Sequence, residues 1–200
     1  MPTRRQVAVA FAILLSAFAI AVATLLSGRR VPTVIGEPLI GGPFALTDHN
    51  GRRVTEKDFL GKYWLVFFGY TYCPDVCPTT LQVMAQALDD MGAAGAAIQP
   101  VFISVDPERD TPEVLKSYVA NFSPRLLGLT GSAEDIAAAA KAFRIYYKKI
   151  AKDGTVDYLM DHSSIIYLMG PDGRFVKHFT YTTDAKALSE ALAAALSGSS

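Results

Sequence analysis

Cysteine is nearly absent from this chain: 200 residues hold only Cys73 and Cys77. That excludes a disulfide-stapled mini-protein, a closed four-cysteine zinc site and an all-cysteine iron–sulfur cluster. Histidine is scarce too, with His49, His162 and His178 the only three. An excess of one charge is also lacking, because 19 basic residues balance 19 acidic ones. Four of the basic residues precede Val31 and no acid does, so the remainder is mildly acidic and has no basic block. Nucleic acid is therefore not an expected partner. There is no internal repeat, and the length suits one ordinary domain rather than two.

Long apolar runs are missing with one exception. Val7 to Leu26 carries no charge and is bracketed by Arg4, Arg5, Arg29 and Arg30. Twenty helical residues at about 1.5 Å each span about 30 Å, the thickness of a bilayer's hydrocarbon core. A buried core helix would keep a polar face, and this run offers only Ser16 and Thr24. Residues 1–30 are therefore expected to form an uncleaved transmembrane helix. Small residues at Ala19, Ala21 and Ala23 make a cleaved signal peptide the competitor, but the run exceeds the roughly 7–15 residues of a signal core. No cysteine lies near its end, which excludes a lipoprotein anchor. A short N-terminus with two arginines is expected to stay cytoplasmic. The chain then spans the inner membrane once and places its C-terminal domain in the periplasm. Residues 31–43, with three prolines and three glycines, have the composition of a linker, leaving residues 44–200 as the domain.

From Phe44 onward strands alternate with helices. Asp48-His49-Asn50-Gly51 has hairpin turn chemistry. Tyr63–Phe68 is a continuous apolar run, as in a strand buried on both faces. Pro78 suits a first helical turn, after which Leu81, Met84, Ala85, Leu88 and Met91 recur at helical spacing until Gly92. Val101–Val105 is a second buried strand. Thr111-Pro112 and Ser132 to Asp135 read as helix starts. Tyr146–Ile150 and Thr155–Leu159 bracket a hairpin turn at Lys152-Asp153-Gly154. Ser164–Met169 and Phe175–Phe179 are later strands, and a helix closes the chain. This order is that of a thioredoxin-like α/β fold, a central mixed sheet flanked by helices.

In such a fold the cysteines lie at the carboxyl end of a parallel strand and the start of a helix, where α/β sheets bind ligands. Residues i and i+4 share a helix face, so both sulfurs can address one spot. The pair can close a disulfide or grip a soft metal, and the spacing alone does not choose. Unpaired N–H groups at a helix start favour thiolate, so both cysteines are expected to be more acidic than a free thiol. A metal would need a third ligand. His49 is expected to be a solvated turn residue and His178 a cross-strand or surface residue. His162 lies in the polar step Met160-Asp161-His162-Ser163-Ser164 before a core strand. Thioredoxins place a proline there against the cysteine pair, and this chain has no proline between Pro124 and Pro171. His162 could reach the thiols, although a lone histidine in a loop is more often an ordinary loop residue.

Phe67-Phe68-Gly69-Tyr70-Thr71-Tyr72-Cys73-Pro74-Asp75-Val76-Cys77-Pro78-Thr79 resembles the signature of the Sco/SenC family. The block from Val105 to Glu113, and Asp161-His162 followed by Ile165 to Gly173, resemble two more of its blocks, in family order. The resemblance implies a thioredoxin-fold copper chaperone that helps assemble the binuclear copper centre of cytochrome c oxidase. Carried over by position, Cys73, Cys77 and His162 become ligands for Cu(I) or Cu(II), with a Cys73–Cys77 disulfide as the form that cannot bind. Asp161 beside the ligand is either an outer partner that orients the imidazole or a turn residue. The implied partners are the copper-site subunit of the oxidase, other copper chaperones and the membrane. Tyr72 stands where mitochondrial members often carry histidine, which removes a candidate fourth nitrogen. The acidic stretch Asp106 to Thr111 is expected to cap and shape its loop.

Other chemistries are weighed on the same residues. A thiol–disulfide oxidoreductase acting on the oxidase's copper-site cysteines would use the same dithiol and would not need His162. A peroxiredoxin wants a threonine three positions before its reactive cysteine, where this chain has Tyr70. A catalytic Cys₂His zinc site lacks a convincingly placed carboxylate base, with Asp75 and Asp161 the nearest in sequence.

Overall fold

Apolar residues without interruption make the centre of the sheet. β3 (Tyr63–Gly69) is buried from Trp64 to Gly69, and β4 (Ile98–Ser104) is nearly as enclosed. The computed structural model describes residues 40–151 and 158–198. The expected transmembrane helix, most of the linker and the tip of the second hairpin lie outside those residues. Among the described residues, no helix is long and apolar enough to cross a membrane.

Chain order begins with a hairpin of β1 (Ala45–Asp48) and β2 (Arg53–Thr55). The carboxylate of Asp48 closes its turn by accepting the N–H groups of Asn50 and Arg52, each at 2.9 Å. After β3 comes α1 (Val76–Asp90), which ends before Gly92 at φ 56°, a left-handed position suited to glycine. A short α2 (Ala93–Ala96) leads into β4. Then follow α3 (Pro112–Val119), β5 (Leu127–Thr130) and α4 (Ala133–Ala142). The expected caps are present: Thr111 Oγ1 accepts the Val114 N–H at 3.3 Å, and Ser132 Oγ accepts the Asp135 N–H at 3.1 Å. The chain closes with β6 (Tyr147–Ala151), β7 (Tyr158–His162), β8 (Ile165–Met169), β9 (Phe175–Thr180) and α5 (Ala185–Ser197).

Among the described residues, seven strands form one mixed sheet in the order β2-β1-β5-β4-β3-β8-β9, while β6 and β7 pair only with each other. β3 and β4 run parallel, ending with Gly69 opposite Ser104. β8 runs antiparallel to β3, with Ile166 opposite Phe67. The ends of β3 and β4 and the start of β8 therefore meet at one edge of the sheet. The return strand of the second hairpin differs from its expected extent. It runs through His162 rather than stopping at Leu159, because Tyr147 to Ala151 pair in register with His162 back to Tyr158. What looks like a polar step in the sequence is a strand with Met160 turned inward and Asp161 outward.

Candidate metal centre

Cys73 lies in the turn after β3, and Cys77 in the first turn of α1. The turn folds back because the Cys73 N–H bonds the Tyr70 carbonyl at 3.3 Å. No side chain caps α1 from Asp75, and the Cys73 sulfur serves instead by accepting the Cys77 N–H at 3.4 Å. His162, at the end of β7, places Nε2 3.4 Å from Cys77 Sγ. The two sulfurs and one ring nitrogen all lie within 4.8 Å of one another. Thiolate and imidazole bonds of about 2.0–2.3 Å bring ligand pairs to within about 4.6 Å, so closing this set on one ion takes small shifts. Cys77 is buried, while Cys73 and His162 are half-exposed, so the cluster opens to solvent on one side.

The imidazole is held edge-on to Tyr70, at 5.8 Å and 90°, and edge-on to Phe67 at 6.2 Å. Its Nδ1 faces the Ser163 carbonyl at 3.3 Å. A carbonyl only accepts, so a proton on Nδ1 is held there and frees the Nε2 lone pair for a metal, whereas a proton on Nε2 lets the ring donate to the Cys73 sulfur. Asp161 is exposed on β7, on the opposite side of the strand from His162, and it is the Ser163 carbonyl that faces Nδ1.

Both cysteines are free thiols here, and their electrostatics diverge. Cys73 is brought down to about 3, chiefly by the S–H of Cys77 donating to its sulfur, with help from His162 and the Asp75 and Cys77 backbone N–H groups. Cys77 is pushed up, because its proton is engaged by Cys73 and its sulfur is buried. The expectation that both are acidic therefore holds for Cys73 and fails for Cys77. The helix start can stabilise one negative charge in this pocket, and the second would be desolvated beside it.

The other histidines are not part of the site. His178 is exposed on β9 opposite Tyr167 and stacks on Phe175 at 6.2 Å. His49 is half-buried rather than solvated, and its Nδ1 accepts the Gly128 N–H at 3.0 Å. That bond ties the β1–β2 turn to β5.

Two supporting residues escaped sequence reasoning. A Cβ on Gly69 would sit 2.7 Å from Cys77 Sγ and 2.9 Å from the Phe102 ring. A glycine at a strand end is the available sign of such a close approach. Gly69→Ala is expected to displace the Cys77 sulfur and cost about 1–3 kcal/mol by overpacking, measurable by urea unfolding of the reduced protein. Asp110 is fully buried and accepts from the Thr71 N–H at 3.0 Å, the Thr71 hydroxyl at 2.6 Å and the Ser104 hydroxyl at 2.5 Å. It shapes the cysteine turn from below. Its own burial raises its pKa, and these donors counter that.

A dithiol at a strand-to-helix turn, completed by an imidazole from a separate hairpin, defines a thioredoxin-like domain with a three-donor site in place of a plain dithiol. The chain belongs to the SCO1/SenC family, whose model matches residues 33–197. It is 50% identical over 147 residues to "Protein SCO1 homolog, mitochondrial" of Homo sapiens, covering 72% of this chain and 49% of that protein. The chain thus spans about half the length of that relative. Arabidopsis thaliana ScoI with copper bound superposes with a TM-score of 0.76 at 44% identity, covering 80% of this chain and 99% of that one. Bradyrhizobium japonicum ScoI with copper bound gives 0.72 at 47% identity, covering 78% and 98%.

Proposed function

We propose that this protein is a copper chaperone for cytochrome c oxidase, with Cys73, Cys77 and His162 as the copper ligands. The observation that carries this is the convergence of two sulfurs and an imidazole nitrogen within 4.8 Å, in a family with copper-bound members. Thiolates and imidazole are a soft donor set that suits copper. Three protein donors with a solvent-facing side leave room for a ligand from the donor or acceptor, which serves transfer better than storage. The acceptor is the subunit that holds the oxidase's binuclear copper site, and other copper chaperones are the donors.

The dithiol gates loading. Joined as a disulfide, the sulfurs have no thiolate to offer. A disulfide needs an S–S distance of about 2 Å, so oxidation also pulls the two sulfurs out of ligand spacing. The lowered Cys73 pKa stabilises the reduced form. A stabilised thiolate makes the disulfide oxidising and the dithiol a weak reductant. That supports cargo binding over the alternative of a reductase for the oxidase's cysteines. Residues 1–30 anchor the chain in the inner membrane and residues 31–43 tether the domain on the periplasmic side. Tethering raises its effective concentration near membrane-bound oxidase subunits.

The full chain, purified reduced, is expected to bind one copper ion, and the oxidised chain none. Equal copper binding by both forms, or zinc in place of copper after native purification, would sink this reading.

A further inference from the structure

The three donors come from two segments that no sheet hydrogen bond joins. Cys73 and Cys77 follow β3 of the main sheet, whereas His162 ends β7, which pairs only with β6. The short step from β7 into β8, which pairs with β3, brings His162 to this edge, and the loop after β4 adds side-chain ties to both segments.

On the hairpin side, the Tyr158 hydroxyl donates to Asp106 Oδ1 at 2.7 Å. Arg109 donates from Nη1 to the Tyr158 carbonyl at 3.0 Å and from Nε to Asp106 Oδ2 at 2.5 Å. Tyr158 shares β7 with His162. On the cysteine side, Asp110 holds Thr71 through both its N–H and its hydroxyl. The Arg109 guanidinium bridges the two. Its carbon lies 3.7 Å from the Tyr158 ring centre, 4.7 Å from that of Tyr72 and 5.8 Å from that of Tyr70. Tyr72 precedes Cys73, and Tyr70 packs on the His162 ring. A planar fork with two directed bonds and two stacking faces does what a lysine cannot. Lys149 adds an exposed ion pair with Glu108 at 2.7 Å, a weaker contact.

We propose that Arg109 is a positioning residue for the metal centre. Clamped on Asp106, it sets the strand that carries His162 at a fixed distance from the cysteine turn. This rests on the copper reading of the site. Arg109 touches no donor atom, and its effect falls on where His162 sits. The dithiol's own chemistry depends chiefly on Cys77 and the start of α1, with a smaller contribution from His162.

The test compares full-chain Arg109→Lys and Arg109→Met with wild type and His162→Ala. Without metal, amide exchange in β7 is expected to speed about tenfold or more in both Arg109 variants, while α1 amides keep the wild-type rate. With Cu(II), both are expected to lose or broaden the histidine-nitrogen hyperfine signal. Copper affinity is expected to fall about tenfold to a hundredfold, the range for losing an outer partner of a ligand. The disulfide potential should shift no further than it does in His162→Ala. If Arg109→Lys restores wild-type exchange and spectrum, charge alone suffices and the positioning role is wrong. The role is equally wrong if both variants match wild type. If His162→Ala leaves the copper spectrum unchanged, the copper reading fails instead, and the metal-free exchange still decides whether Arg109 ties the hairpin.

Discussion

His162→Ala is expected to weaken copper binding by at least about a hundredfold, more than the tenfold to hundredfold typical of losing only an outer partner. The imidazole is one of the three proposed donors, and its Nε2 lies 3.4 Å from Cys77 Sγ. With its proton on Nδ1, against the Ser163 carbonyl, the ring aims its lone pair there. Two thiolates left alone can still hold Cu(I) in a two-coordinate fashion, so the loss should be steepest for Cu(II). Dithiol–disulfide cycling does not use the ring and should continue. Competition with a chelator of known affinity gives the first quantity, and equilibration against glutathione gives the second. Unchanged copper affinity would remove His162 from the ligand set. A collapse of dithiol cycling in the same variant would favour a redox role over a metal role.

Cys77→Ala should raise the Cys73 pKa from about 3 to the range of about 6–7 seen where a helix start acts with fewer partners. The S–H of Cys77 is the largest cause of the low value, and the substitution removes it. At neutral pH the variant would pass from fully ionised toward half-protonated, visible as ultraviolet thiolate absorbance followed against pH. The sign of the stability change follows. Cys73 titrates lower in the folded protein than the roughly 8.5 of an unfolded cysteine. Its contribution is complete above that unfolded value and is lost as pH falls through about 3. Cys77 is shifted upward, so its contribution holds below its unfolded value and is lost as pH rises beyond it. The pair's contribution to the reduced protein therefore climbs from about pH 3 to a maximum near about 8.5 and declines above it. In Cys77→Ala the alkaline decline disappears and the acid limb begins at higher pH. A Cys73 titration unmoved by the substitution would mean that the helix start alone holds the thiolate.

Local chemistry was legible wherever the partner was close along the chain. The caps at Thr111 and Ser132, the Asp48 turn, the buried run of β3 and the dithiol turn all depend on neighbours within a few residues. The Asp106 to Thr111 stretch was legible only in part. Thr111 does cap α3, but Asp110 reaches Thr71, 39 residues back, and Arg109 reaches Tyr158, 49 residues on. Charge spacing within one loop carries no record of such partners. Asp161 was left open between two roles. Adjacency in sequence suggests contact, but in a strand it guarantees opposite faces. Gly69 left only a weak sign, since its role is set by the Phe102 ring and the Cys77 sulfur packed against it.

By itself the sequence determined the element order and the dithiol at a strand-to-helix turn, which follow from short-range periodicity, capping and a scarcity of cysteine that leaves few choices. His162 as a third ligand came only from the resemblance to the Sco/SenC family. Only the tertiary structure decided that His162 faces the thiols, that the surroundings of Cys73 lower its pKa while those of Cys77 raise it, and that Arg109 contacts both segments. Each of these depends on burial and on contacts between residues tens of positions apart. The antiparallel register of β8 on β3 and the pairing of β6 with β7 create that proximity.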